Sequence, residues 1–411
     1  MPFSKLGLSP QIERSLKESG FKKPTPIQQK VIPLVLERRD ILAKAQTGSG
    51  KSASFVLPIL ELLSRESYEG KAKIKVLVLT PTRELTQQIV ETFNTFSAFL
   101  PKKPKVVGVI GGESIGDQLF AIQKGCDILV ATSGRFLDIL SKKQMNLSKV
   151  EFLVLDEADK MLDLGFEQEL DLILEAIPQQ RQNLLFSATY PPKMLAIASK
   201  ITQNALEVSI EDEEPTVQSI TQRAIEVNRE NRGPLLRHLL KSEKLEHVLV
   251  FMANKRAADN IAEKFRKHGF KADSFHGDLH QDDRNYTLDL FKKKELNLLF
   301  ATDLVARGLD IDNITCVVNF DLPRSPADYI HRIGRTARAG KKGMAISFIG
   351  HEDADHFRLI EKRAGIKLKR EQIEGFELTG EAIKKEKGPA PVKGKGKSKK
   401  DKAREKALKE A

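Results

Sequence analysis

The sequence predicts two tandem α/β domains, each a doubly wound parallel sheet covered by helices, followed by a disordered basic tail. Short β-rich apolar runs alternate with helical stretches, the pattern of strand–helix–strand crossovers. The 411 residues exceed one ordinary domain, at roughly 100 to 200 residues each. From Lys384 to Ala411, twelve Lys and Arg stand against four acids with no aromatic residue among them, so this segment carries +8 of the chain's +12. Such a composition cannot bury a core.

In the first half the runs are Asp40–Ala45, Lys75–Thr80, Val106–Ile110, Asp127–Thr132, Phe152–Leu155 and Asn183–Phe186. The stretch EDEEPTVQSITQ is acidic, contains proline and has no apolar face, which marks a linker. A second series follows: His247–Met252, Lys271–Phe275, Asn297–Thr302, Cys316–Phe320 and Gly343–Phe348. Between its first two members a helix around Ala257 to His268 ends at Gly269, as a C-cap does. The expected organisation is domain 1–210, linker 211–222, domain 223–370 and tail 371–411, and the two halves could be one fold used twice.

Hydrophobic residues make up 40% and charged residues 30%, a globular rather than collagenous or disordered profile. No apolar run reaches the ~18 residues of a membrane span, and MPFSKLGLSP lacks the apolar stretch of a signal peptide, so the expected compartment is the cytoplasm. Cys126 and Cys316, the only cysteines, lie too far apart in the chain to suggest a paired zinc site and read as buried thiols. The basic balance points to a polyanionic partner, a nucleic acid or an acidic surface.

The run Asp40–Ala45 enters Ala45-Gln46-Thr47-Gly48-Ser49-Gly50-Lys51-Ser52 and then an apolar helical stretch. This is a P-loop with Ala in place of the first Gly, in its strand–loop–helix context. Gly48 and Gly50 let backbone N–H groups wrap phosphates at a helix N-terminus, Lys51 reaches the β/γ-phosphates, and the Ser52 hydroxyl ligates Mg²⁺. A glycine-rich turn with an incidental Lys-Ser is the bland alternative. Phe152–Leu155 ends in Asp156-Glu157-Ala158-Asp159, which supplies the second acid such a site needs: Asp156 for Mg²⁺, and Glu157 to take the proton of an attacking water.

With these residues in place the chain resembles the DEAD-box family of ATP-dependent RNA helicases, and in general look the bacterial RhlE-like branch, from about Phe3 to Gly350. The resemblance implies two RecA-like domains, the helicase superfamily 2 core, with ATP and Mg²⁺ between them. Gly20-Phe21-Lys22-Lys23-Pro24-Thr25-Pro26-Ile27-Gln28 is similar to the Q motif, in which Gln28 would read the adenine edge and Phe21 would pack near the base. Without the resemblance, Pro-Thr-Pro-Ile-Gln reads as a turn before a helix. Pro81-Thr82-Arg83-Glu84-Leu85, Gly111-Gly112 and Thr132-Ser133-Gly134-Arg135 follow strands on one rim, and in the family such loops grip RNA. The family usually has Pro at the position of Ser133 and Ala at that of Thr86. Ser187-Ala188-Thr189 is similar to the motif that couples hydrolysis to strand separation through Asp159; a Ser/Thr helix cap is the compatible plain reading.

In the second half Ala301-Thr302-Asp303-Leu304-Val305-Ala306-Arg307-Gly308-Leu309-Asp310 and His331-Arg332-Ile333-Gly334-Arg335-Thr336-Ala337-Arg338 match the family's motifs V and VI. By resemblance, Arg335 and Arg338 are arginine fingers for the γ-phosphate and His331 organises the reaction centre. Gly308 and Asp310 would approach the ribose, while Thr302 and Arg307 would face RNA or the cleft. Ala337 replaces the commoner Gly. The competing view is that these arginines only brace the second domain through acids such as Asp303 and Asp310.

The expected function is RNA-stimulated ATP hydrolysis coupled to local opening of RNA duplexes or remodelling of RNA–protein complexes, on single strands and short duplexes, with no membrane partner. An ATP-gated RNA clamp and a DNA-translocating helicase are the other readings. The resemblance leaves ribosome-assembly and RNA-decay partners open, and oligomeric state is not written in the sequence.

Overall fold

The computed structural model describes residues 2–45, 49–65, 72–210, 220–306, 311, 314–337 and 342–381. The first half runs α1 (Pro10–Glu18), α2 (Pro26–Leu36), β1 (Ile41–Lys44), α3 (Lys51–Ser64), β2 (Val76–Thr80), α4 (Arg83–Phe96), β3 (Val106–Val109), α5 (Ile115–Gln123), β4 (Ile128–Thr132), α6 (Ser133–Ser141), β5 (Phe152–Leu155), α7 (Ala158–Asp163), α8 (Glu167–Ala176), β6 (Gln182–Ser187), α9 (Pro192–Ile201) and β7 (Leu206–Ser209). The second runs β8 (Ile220–Glu226), α10 (Arg232–Ser242), β9 (Val248–Met252), α11 (Lys255–Lys267), β10 (Ala272–Phe275), α12 (Gln281–Lys292), β11 (Leu298–Thr302), α13 (Asp303–Ala306), β12 (Cys316–Asn319), α14 (Pro326–Ile333), β13 (Gly343–Ile349), α15 (Ala354–Ala364) and β14 (Arg370–Glu371).

Each half folds around a seven-stranded sheet, ordered β3-β4-β2-β5-β6-β1-β7 in the first and β10-β11-β9-β12-β13-β8-β14 in the second. Every pairing is parallel. Replacing β1 by β8, β2 by β9 and so on turns one order into the other, so the same fold is indeed used twice. Strands β2, β5 and β6 are buried at every position, which explains the apolar runs at their centres. Along β5 the pleat sends Phe152 and Val154 to one core and Leu153 and Leu155 to the other. Parallel strands end on the same side, so the turns after β1, β2, β4, β5 and β6 share one rim.

The sequence boundaries shift at two places. Residues 211–219 of the expected linker lie outside the described residues, but 220–222 open β8. The expected tail from 371 begins later, because Ile373 and Phe376 pack on the core of the second sheet and Phe376 lies 5.4 Å from the His238 ring. Thr379 accepts at its carbonyl from Asn228 Nδ2 (3.2 Å) and donates its backbone N–H to Asn228 Oδ1 (2.8 Å), so the second domain extends at least that far. Residues 382–411, the bulk of the expected tail, lie outside the described residues.

Candidate active site

The P-loop begins where β1 hands its last hydrogen bond to β6, Ala45 N–H to the Ser187 carbonyl at 3.0 Å. Gln46, Thr47 and Gly48 lie outside the described residues. Gly50 caps α3 with φ 89°, a left-handed conformation that suits glycine. A Cβ there would also meet Gln28 Nε2 at 2.5 Å and Thr25 Oγ1 at 2.9 Å. Gln28 is fully buried: its Oε1 accepts from the Thr25 N–H (3.0 Å) and its Nε2 donates to the Gly50 carbonyl (3.2 Å). The side chain expected to read adenine therefore also closes the capping box of α2 and clamps the P-loop. Phe21 lies edge-on to Phe96, ring centroids 5.4 Å apart, and remains 41% exposed.

Lys51 opens α3 with a buried ammonium that has no hydrogen-bond partner, and Ser52 beside it is half-buried. Opposite, Asp156 follows β5 and accepts from the Glu157 N–H (2.9 Å), while Glu157 sits at φ 52° and caps α7, with Oε2 buried and unpaired. Burial pushes both carboxyls above the ordinary range, and the Lys51 charge opposes the shift in each. A buried ammonium without a hydrogen-bond acceptor, at a helix N-terminus beside a hydroxyl and two carboxyls, suits a polyphosphate with a hard divalent cation. Among the described residues no group of three or more His, Cys, Asp or Glu could hold a metal. A cation here would take further ligands from phosphate and water.

Asp159 gathers the residues expected to couple hydrolysis to strand separation. Its Oδ2 accepts from the N–H and Oγ1 of Thr189 (3.2 and 3.1 Å), its own N–H donates to Ser187 Oγ (3.3 Å), and Ser187 Oγ donates to the Thr189 carbonyl (2.6 Å). The second domain completes the pocket: Lys51, Glu157, Asp159, Lys160, Ala188, His331 and Arg335 line one cleft between the halves. Arg335 is close enough for its charge to draw the Glu157 carboxyl back down.

The arginines divide their labour. Arg332 forks Asp303 at 2.6 and 2.7 Å, donates to Asn319 Oδ1 and the Asp321 carbonyl, and stacks 4.7 Å from the Phe251 ring centroid. Arg332 thus braces the second domain through Asp303. Arg338, Arg307, Gly308 and Asp310 lie outside the described residues. Ala337 adopts φ 58°, so the exchange of Gly for Ala read from the sequence costs backbone strain.

On the shared rim, Pro81 and Thr82 lead into α4, and Arg83 lies against Gly111 and Gly112; a Cβ on Gly111 would stand 3.5 Å from its guanidinium, and Gly112 has φ 87°. Arg135 is partly committed, its guanidinium donating to the Glu113 carbonyl and to Gln118 Oε1, both at 3.0 Å. Thr132 caps α6, and Thr302 ends β11, half-buried. The structure adds a contact the sequence reading missed: Glu84 of α4 forms an ion pair with Arg284 of α12, both side chains buried, across the two domains. Nothing in the spacing of QDDRNY singles that arginine out.

Two family models match the chain: DEAD/DEAH box helicase over residues 25–197 and Helicase conserved C-terminal domain over residues 232–340. The DEAD-box ATP-dependent RNA helicase CshA of Bacillus licheniformis is 40% identical over 90% of this chain and 74% of its own length. The ATP-dependent RNA helicase CshA of Listeria monocytogenes is 39% identical over 88% and 68%. These names support a bacterial DEAD-box helicase without singling out the RhlE-like branch. Among solved structures, S. cerevisiae Dbp5 bound to RNA and ADP BeF3 matches with TM-score 0.79 and 32% identity over 90% of this chain and 95% of that one. A DEAD box protein from Methanococcus jannaschii is more similar in sequence, 40%, over 90% and 99%, yet scores 0.52. Similar domains set at a different angle would produce that inversion. By family models, relatives and fold together, the chain belongs to the DEAD-box helicase family.

Proposed function

We propose that this protein is an ATP-dependent RNA helicase whose ATP site is shared between its two domains. The observation that carries the reading is the single cleft lined by Lys51 and Glu157 of one half and His331 and Arg335 of the other. Lys51 binds the β/γ-phosphates, and the backbone N–H groups at the start of α3 orient them. Ser52 and Asp156 would hold Mg²⁺, which would supply charge neutralisation at the phosphates. Glu157 accepts a proton from the attacking water; a buried carboxyl raised above its usual range suits a base at neutral pH. Arg335, with Arg338 by sequence, stabilises charge developing on the γ-phosphoryl group, and His331 holds the arrangement. Gln28 and Phe21 bind the base, and Gly308 and Asp310 the ribose.

RNA is gripped by Pro81, Thr82, Arg83, Gly111, Gly112, Thr132, Arg135 and Thr302. A single strand bridging both rims favours the closed form by differential affinity, so RNA stimulates hydrolysis. A helicase of this kind opens short duplexes locally and acts in the cytoplasm. An intact Lys51, Glu157 and Arg335 argues against a purely ATP-gated clamp. The deciding experiment measures ATP turnover with and without single-stranded RNA and with a DNA strand of the same sequence. Turnover that RNA does not raise would overturn the proposal.

A further inference from the structure

The turn that carries Arg83 is held from below by hydroxyls. β2 ends at Thr80 and α4 starts at Arg83, with Thr82 capping the helix through Leu85 N–H at 3.3 Å. One turn into the helix, Thr86 Oγ1 donates to the Thr82 carbonyl at 3.0 Å and lies 2.6 Å from Thr80 Oγ1. Both threonines are fully buried. Thr80 donating to Thr86 Oγ1, and Thr86 to the Thr82 carbonyl, uses both hydroxyl protons and closes a chain from the end of β2 back to the turn. Thr80 Oγ1 also lies 3.4 Å from the Ala131 carbonyl on β4, whose next residue, Thr132, is in register with Thr80 and caps α6.

The Thr86 methyl serves the same end. It stands 3.8 Å from where a Cβ on Gly108 would lie, filling part of the gap that glycine leaves between α4 and β3. Alanine, the residue expected at this position by family resemblance, would remove the hydroxyl link and strip Thr80 of its nearest partner. The Thr82 carbonyl would keep its bond from the Thr86 N–H, and Thr80 Oγ1, 3.2 Å away, would be left to swing its proton toward it.

We infer that Thr86 is a positioning residue for RNA: through the chain Thr80–Thr86–Thr82 it fixes the Pro81–Arg83 turn, so that the Arg83 guanidinium is already seated against Gly111 and Gly112 when RNA arrives. The inference rests on the RNA-helicase reading above. It concerns affinity for the strand, since the hydroxyl partners of Thr86 are Thr80 and Thr82 and not the acids of the cleft.

The test compares Thr86→Ala, Thr86→Val and Thr86→Ser with the parent in RNA-stimulated ATP turnover on full-length protein, with melting followed alongside. Thr86→Ala and the near-isosteric Thr86→Val should raise the RNA concentration for half-maximal stimulation about three- to tenfold, the scale of one neutral hydrogen bond. Turnover at saturating RNA and the KM for ATP should hold, and Thr86→Ser, which keeps the hydroxyl but loses the methyl, should restore most of the RNA affinity. If Thr86→Ala or Thr86→Val melts lower but half-saturates at the parental RNA concentration, the threonine only stiffens its helix and the inference fails. A parent that RNA does not stimulate would instead sink the helicase reading, and this inference with it.

Discussion

Replacing Arg284 by Ala should separate domain closure from everything else the enzyme does. The guanidinium and the Glu84 carboxylate meet with side chains 3% and 5% exposed, and Arg284 also lies 5.5 Å from the Phe275 ring centroid. Burial holds the Glu84 carboxyl above its usual range and the Arg284 guanidinium below its own, each shift opposed by the partner's charge. Removing one member of such a pair typically costs about 3 to 5 kcal/mol, because the other is left buried and uncompensated. The lower end applies here, since Glu84 can shed its charge by taking up a proton. About 3 kcal/mol is on the order of a hundredfold in an equilibrium. The pair exists only when the domains meet, so the cost falls on closure.

The assay is a titration of RNA-stimulated ATP turnover. Arg284→Ala should shift half-stimulation by on the order of a hundredfold, whereas Glu84→Gln combined with Arg284→Gln, which leaves no buried charge, should recover most of it. The sign with pH follows. In Arg284→Ala the Glu84 carboxyl binds its proton more tightly closed than open, so closure takes up a proton and is favoured as pH falls. The defect should shrink on acidification, and the double variant should show no such trend. If the single and double variants shift equally, or if Arg284→Ala half-saturates like the parent, the pair does not hold the closed form.

Glu157→Gln should bind nucleotide and RNA yet hydrolyse orders of magnitude more slowly; a parental rate at saturating RNA would refute its role as base. Because the base must be deprotonated, the parental rate should fall as pH drops through a value above the ordinary 4.5, and a limb confined to ordinary carboxylate pH would contradict the burial argument. Arg335→Lys keeps the charge but loses the planar fork, so it should not rescue turnover, while ATP binding to the open form changes little. Parent protein should prefer ATP to GTP and Gln28→Ala should bind both poorly, because Gln28 also clamps Gly50; equal use of GTP by the parent would remove the case for adenine reading. Deleting 384–411 should flatten the salt dependence of RNA binding, by about 0.7 in log–log slope for each phosphate the tail neutralises, and an unchanged slope would give the tail another task.

What the sequence made legible were features whose physics is local. Strands buried on both faces must be apolar throughout, so β2, β4, β5, β9 and β11 announce themselves. Strands at or next to the sheet edge are not so constrained: β7 at one edge, β14 at the other and β8 beside it carry polar residues, and all three escape a search for apolar runs. The P-loop and the acid pair are compact enough for spacing to reveal. Thr25-x-x-Gln28 was legible as a helix start, but its clamp on Gly50 joins residues 22 apart and needed coordinates. The Glu84–Arg284 pair joins distant stretches of the chain with no periodic signature. The left-handed backbone beneath Ala337 is invisible in composition, so the strain of having Ala there needed coordinates.

The arrangement of α4 explains why strand binding and hydrolysis should depend on each other at all. Its first turn holds three functions in consecutive residues: Thr82 caps the helix and anchors the hydroxyl chain, Arg83 faces Gly111 and Gly112, and Glu84 reaches across to Arg284. A rigid helical turn cannot place one of these without placing the others. On the proposed roles, seating a strand on Arg83 would also set Glu84 for its partner, and that contact would bring α14, with His331, and Arg335 just after it toward Lys51 and Glu157. The coupling must run both ways: whatever factor RNA adds to ATP affinity in the closed form, ATP adds to RNA affinity. On the proposed roles, hydrolysis that removes the γ-phosphate would remove what Arg335 holds, and the strand would be gripped and released once per ATP.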